Sequence, residues 1–97
     1  MTIGILGGGV WGSALARVLS KNKVIIYARD EKIVKSINEH KINPKLKYSP
    51  FNENVTATTS LKEIRNVKFL FITLPVQNIR EVIKESSLHN KNHNIVI

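Results

Sequence analysis

Ile5-Leu6-Gly7-Gly8-Gly9-Val10-Trp11-Gly12-Ser13-Ala14-Leu15-Ala16 is the stretch on which the reading of the fold turns. Thr2 to Leu6 is short, apolar and closed by glycine, the pattern of a buried strand. Three consecutive glycines then break whatever precedes them. Over residues 11–20 the spacing turns helical, with Leu15, Val18 and Leu19 on one side and Arg17 on the other. Residues 23–28 (KVIIYA), β-branched at their centre, read as a second strand.

Gly7, Gly9 and Gly12 therefore satisfy G-x-G-x-x-G between a strand and a helix, with a second strand following. That context makes the pattern a dinucleotide-binding fingerprint. Each glycine has a physical duty in it. Gly7 allows the tight turn off the strand, Gly9 lets the backbone approach a pyrophosphate, and Gly12 lets helix and strand pack closely. Gly8 lies within the same loop. Amides and the positive end of the helix dipole would face the phosphates. The bland alternative is a tight strand-to-helix turn with no ligand.

The residues after the second strand bear on which dinucleotide is taken. An acid there bonds the ribose hydroxyls of NAD, and an arginine accommodates the 2′-phosphate of NADP. The chain offers Arg29 and then Asp30. Asp30 also stands where a helix N-cap belongs, ahead of residues 31–39 with Ile33, Val34 and Ile37 on one face. If Asp30 caps that helix, Arg29 faces the ribose and NADP is accepted, with NAD still open. Otherwise Arg29 is a solvated side chain beside a cap.

Residues 40–54 hold Pro44, Pro50 and several Asn and Lys, and read as a loop. A short strand is expected over 55–58. Ser60-Leu61-Lys62-Glu63 has the form of a capping box opening a brief helix that ends near Asn66. Residues 67–74 (VKFLFITL) form the clearest strand, closed by Pro75. Helical spacing returns over 76–85, a polar stretch follows, and residues 94–97 (NIVI) open another apolar strand. Strands alternating with helices make the fold class α/β. The expected architecture is a Rossmann-type parallel sheet with flanking helices, in the order 3-2-1-4-5, truncated after about five strands. Residues 1–97 would form one incomplete dinucleotide-binding domain, the amino-terminal piece of something longer.

Composition narrows the possibilities further. Ninety-seven residues, 42% of them hydrophobic, suffice for one modest core and no second domain. Fifteen Lys and Arg against seven Asp and Glu leave a charge of +8, which favours phosphate-bearing partners. The absence of cysteine excludes disulfides, thiolate-bound zinc and thiol nucleophiles. His40, His89 and His93 have no metal-like spacing, and no metal site is expected. Aromatic residues are few and lack the stacking-platform pattern of RNA-binding sheets, so no nucleic acid is expected. No leader pattern or run of about 20 apolar residues occurs, giving an expectation of a cytoplasmic protein without a membrane span.

Four segments, in order, resemble the opening of bacterial NAD(P)-dependent glycerol-3-phosphate dehydrogenase. ILGGGVWGSALA at residues 5–16 is similar to the family's G-x-G-x-W-G-T-A-L-A. Tyr27-Ala28-Arg29-Asp30 resembles its aromatic-x-Arg-Asp, Ala57-Thr58-Thr59-Ser60-Leu61 its A-T-T-D-L, and LPVQNIREV at 74–82 its V-P-S-Q-A-L-R-E-V. The resemblance implies that the amides of Val10 and Trp11 hold the cofactor pyrophosphate. It places Arg29 and Asp30 at the adenosine ribose and Pro75 along the cofactor cleft. Trp11 has a second reading, an indole packed beneath the loop.

Val10 stands where the family usually has serine, and the stretch around Asn43-Pro44 and Tyr48-Ser49-Pro50 resembles its N-P-x-Y-L-P loop with a different length. The implied reaction interconverts dihydroxyacetone phosphate and glycerol 3-phosphate with NADP or NAD. A small phosphorylated substrate is implied for the full-length enzyme, with room for a homodimer in that form. The family's substrate-binding lysine lies in a K-G motif after the fifth strand, and a second, catalytic lysine in a later helical domain. Neither motif occurs in these residues, so the 97-residue chain alone is expected to be inactive, with no catalytic residue assigned. A non-catalytic nucleotide-binding fragment, or the first domain of another dehydrogenase such as a ketopantoate reductase, is the alternative.

Overall fold

In the computed structural model the described residues are 2–47, 50–64, 67–73 and 94–96. Five strands form one sheet: β1 (Thr2–Leu6), β2 (Lys23–Tyr27), β3 (Val55–Thr58), β4 (Phe69–Ile72) and β5 (Asn94–Val96). Their order is β3-β2-β1-β4-β5 and every pairing is parallel. The registers Ile5↔Ile26, Ile26↔Ala57 and Ile5↔Phe71 stack apolar residues across the sheet. Sequence order reverses at β1, whose neighbours are β2 on one side and β4 on the other. Ligands of open α/β sheets bind at such a reversal, beyond the carboxyl ends of the strands.

Alternation along the strands sorts the core into two layers, because successive side chains point to opposite faces. Ile5, Val24, Ile26, Val55 and Ala57 pack on one face with Ala16, Ile33, Ile37 and Phe51. Leu6, Tyr27, Leu70 and Ile72 pack on the other with Ile64 and Val67. Helices α1 (Val10–Val18) and α2 (Glu31–His40) cover the first face, and the single turn α3 (Leu61–Ile64) lies on the second. Parallel sheets need such cover on both sides.

Helix α2 follows its sequence pattern closely. Asp30 caps it, its Oδ1 accepting from the Lys32 amide at 2.9 Å, and Ile33 and Ile37 are buried. Helix α1 departs from the expected pattern. Its buried residues are Gly12, Ser13 and Ala16, with Leu15 and Leu19 packed against the core's edge, while Val18 is 77% exposed. Val18 is two residues, about 200°, round the helix from Ala16, so the tight small-residue seam turns it to solvent.

The expected capping box at Ser60 is also replaced. The Ser60 amide donates to Thr58 Oγ1 at 3.0 Å, and the Thr58 hydroxyl in turn donates to the Glu63 carboxylate. Thr58, the last residue of the strand, thus accepts the Ser60 amide that a capping box would give to the Glu63 carboxylate. Between α2 and β3 the expected loop contains a 3-10 turn, Pro44–Leu46, and buries Phe51. The strand expected over 67–74 is shorter, Phe69–Ile72, with Val67, Lys68 and Thr73 outside it, while Leu74, Pro75, the expected helix over 76–85 and Ile97 lie outside the described residues.

Candidate functional site: a glycine loop and its cleft

The chain leaves β1 at Leu6 and turns sharply at Gly7, whose φ is +137°, a conformation that side chains rarely adopt. The turn is pinned on both sides. The Gly7 amide donates to the Tyr27 carbonyl at 2.9 Å, and Thr73 donates to the Leu6 carbonyl through its amide (2.9 Å) and its hydroxyl (3.0 Å). A Cβ at Gly7 would overlap the Thr73 hydroxyl, and one at Gly8 would meet Ala28 Cβ at 2.7 Å. At Gly12 a Cβ would overlap the Gly7 carbonyl oxygen, so the helix is packed directly on the turn. Gly9 differs from all of these: among the described residues a Cβ there would meet nothing within 4 Å.

Gly9 is also the N-cap of α1, and no side chain caps that end. The first helical bond runs from the Ser13 amide to the Gly9 carbonyl at 3.0 Å. The amides of Val10, Trp11 and Gly12 precede it and have no partner in a preceding turn. No acidic residue occupies the first turn. Among the described residues no acid meets the helix dipole's positive end, which lies beside the open space at Gly9.

An open cleft of about 320 Å³ lies at this point. Gly7, Gly8 and Gly9 form one wall, Tyr27, Ala28, Arg29, Asp30 and Ile33 another, and Lys45 and Thr73 complete it. Of the residues singled out from sequence, Gly7, Gly8, Gly9, Arg29 and Asp30 are thus brought together. Val10 and Trp11 sit in the first turn of α1, both exposed, and do not line the cleft; Gly12 lies beneath the loop. Trp11 is 82% exposed, which removes the reading of an indole packed under the loop. Pro75 lies outside the described residues. Among the described residues no group of His, Cys, Asp and Glu could hold a metal.

Three contributors to this site are not evident from the glycine motif. Asn43 is fully buried, and its Nδ2 donates to the Gly8 carbonyl at 2.8 Å and to Ser13 Oγ at 2.6 Å. Its Oδ1 accepts from the Lys45 amide at 3.0 Å, capping the 3-10 turn that carries Lys45. Thr73, at the end of β4, supports the glycine turn. The available signal was Asn43-Pro44, since Asn at a cap followed by Pro at the first position marks a helical start.

Residues 2–97 match the family model for the N-terminus of NAD-dependent glycerol-3-phosphate dehydrogenase. The chain belongs to that family. It is 36% identical over 84 residues to glycerol-3-phosphate dehydrogenase [NAD(P)+] of Neorickettsia sennetsu, covering 84% of this chain and 25% of that protein. The corresponding protein of Bacillus licheniformis is 41% identical over 91 residues, covering 87% and 25%. Among solved structures, glycerol-3-phosphate dehydrogenase from Coxiella burnetii superposes with a TM-score of 0.85 at 30% identity, covering 97% of this chain and 30% of that one. A probable 2-dehydropantoate 2-reductase from Bacillus subtilis superposes at 0.76 with 23% identity, over 98% and 32%, a likeness of fold. The chain therefore spans about a quarter to a third of the length of these relatives. The Rossmann-type architecture is shared with an NAD(P)-dependent oxidoreductase family. No described helix is long and apolar enough to cross a membrane.

Proposed function

We propose that residues 1–97 are the dinucleotide-binding domain of a glycerol-3-phosphate dehydrogenase and take NADP or NAD in the cleft at the glycine loop. The open space at Gly9 carries this assignment. Gly7, Gly8 and Gly12 are each filled against by neighbouring atoms, whereas Gly9 faces vacant room next to uncapped helix amides. A purely structural turn has no need of a glycine at such a position. A pyrophosphate has: it needs close backbone approach, donor amides and a positive helix end.

Gly7 and Gly8 shape the loop, and Gly12 seats the helix on it. The amides of Val10 and Trp11 donate to the phosphates. Arg29 and Asp30 face the adenosine ribose, and Pro75 is assigned to cofactor binding by the family resemblance alone. The bound nicotinamide supplies the hydride that interconverts dihydroxyacetone phosphate and glycerol 3-phosphate. The chain's own part is to bind and orient that cofactor. The small phosphorylated substrate, the lysines that act on it and a homodimer belong to the longer enzyme, which we place in the cytoplasm, in keeping with a cysteine-free chain.

Calorimetric titration of NADPH and NADH into the wild-type chain and a Gly9→Val variant tests the assignment. The expected result is binding by the wild type and its loss in a variant that keeps the wild-type circular dichroism. Unchanged affinity in the folded variant would reduce the loop to a turn.

A further inference from the structure

Lys45 lines the same cleft as Arg29 but arrives from a different element, the 3-10 turn Pro44–Leu46. A lysine in a loop is ordinarily a wandering solvated charge. Here the backbone that carries it is fastened to the glycine loop. Asn43 Oδ1 holds the Lys45 amide at 3.0 Å, the Asn43 carbonyl accepts from the Leu46 amide at 2.8 Å, and Pro44 restricts the turn's first residue. The buried Asn43 amide group reaches back to the Gly8 carbonyl at 2.8 Å.

The charge balance along the cleft is one-sided. Two cations, Arg29 and Lys45, face one acid, Asp30, and Asp30 Oδ1 is engaged by the Lys32 amide as the cap of α2. Among the described residues neither Arg29 nor Lys45 has a carboxylate partner. A ribose diol offers two cations nothing to neutralise. A phosphate monoester does, since it carries between one and two negative charges and three acceptor oxygens at neutral pH.

Resting on the proposed dinucleotide site, we propose that Lys45 is the second cation of a subsite for the ribose 2′-phosphate and tilts the domain toward NADP(H) over NAD(H). Arg29 supplies a planar fork from the end of β2, and Lys45 supplies a point charge from across the cleft.

The test is calorimetric titration of NADP+, NAD+, adenosine 2′,5′-bisphosphate and AMP into the wild-type chain, Lys45→Gln and Lys45→Arg. A charge-assisted bond is worth tenfold or more when desolvated, and exposure reduces it. Lys45→Gln should therefore weaken NADP+ and the bisphosphate by about five- to tenfold. NAD+ and AMP should move less than about twofold, and Lys45→Arg should restore most of the NADP+ affinity. The gap should narrow with added salt. Equal losses for NADP+ and NAD+ would place Lys45 on the pyrophosphate or the fold and overturn the assignment, as would an unchanged NADP+ affinity. A wild-type chain that binds neither dinucleotide would refute the dinucleotide site itself, and the Lys45 subsite with it. Binding of both with no dependence on Lys45 would refute the subsite alone.

Discussion

Replacing Asn43 with alanine cuts the connection between the 44–46 turn and the glycine loop, and the structure gives the size of the effect. Three bonds disappear: Nδ2 to the Gly8 carbonyl (2.8 Å), Nδ2 to Ser13 Oγ (2.6 Å) and the Lys45 amide to Oδ1 (3.0 Å). The groups left behind differ in their access to water. The Lys45 amide and the Gly8 carbonyl belong to partly or fully exposed residues, so water can replace much of what they lose. Ser13 is fully buried, and its hydroxyl loses this donor with no route to solvent. A buried polar group left unsatisfied costs about 1–3 kcal/mol, and a solvated replacement costs less. The sum is about 2–4 kcal/mol, including the small void left by the shortened side chain.

For a domain of this size, 1 kcal/mol shifts Tm by about 4–8 °C, so Asn43→Ala should lower it by roughly 10–25 °C. Urea unfolding followed by circular dichroism gives the same quantity as a shift in midpoint at constant slope. A double-mutant cycle with Ser13→Ala isolates the Asn43–Ser13 bond, and its coupling should fall at about 0.5–2 kcal/mol. A loss below about 0.5 kcal/mol in the single variant, or full additivity in the cycle, would refute the view of Asn43 as a tie between loop and helix.

Other outcomes follow from the same geometry. Gly12→Val should unfold the chain or lower its Tm severely, because the new side chain overlaps the Gly7 carbonyl, whereas Gly9→Val should keep its Tm; thermal melts of the two variants side by side check the contrast. Arg29→Ala should weaken NADP+ by about tenfold and NAD+ little, exposure lowering the gain of a fully desolvated contact, as read by titration of both. Ile37→Ala, at a fully buried α2 position, should cost about 2–5 kcal/mol in urea unfolding. The 97-residue chain alone should show no NADPH oxidation above a blank with dihydroxyacetone phosphate, since it carries none of the lysine motifs that the family resemblance requires.

The strand order and the positions of α1, α2 and β3 were legible because periodicity and turn chemistry agree at those places. KVIIY can be little other than a strand, and Asp30 announces α2 through its position as well as its type. What escaped depended on partners distant in sequence. Val18 looks like a core residue in a helical plot, yet Gly12, Ser13 and Ala16 draw the helix so close to the sheet that a different arc is buried. The Thr58–Glu63 contact displaced a capping box that the local pattern favours, because the strand-end hydroxyl accepts the Ser60 amide and itself donates to the Glu63 carboxylate. Asn43 is a polar residue among lysines and prolines, and only the fold shows that it is buried 30 residues along the chain from Ser13.

That last case explains why the candidate site is larger than its motif. The glycine fingerprint specifies one wall, and the residues after β2 specify another, both local in sequence and both readable from it. The remaining side is shared by Thr73 after β4 and a turn some 35 residues beyond Gly8, whose register is fixed by one buried amide. If Asn43 sets that register, substitutions there should act on the cleft as well as on stability. Asn43→Asp tests this: it keeps the acceptor for the Lys45 amide but replaces the donor facing the Gly8 carbonyl with a second oxygen. The turn should keep its cap while the glycine loop is pushed away, and dinucleotide affinity should fall at temperatures where the variant remains folded. Affinity that stays at the wild-type value in a folded, destabilised Asn43→Asp chain would show that the turn supports the fold and leaves the cleft alone.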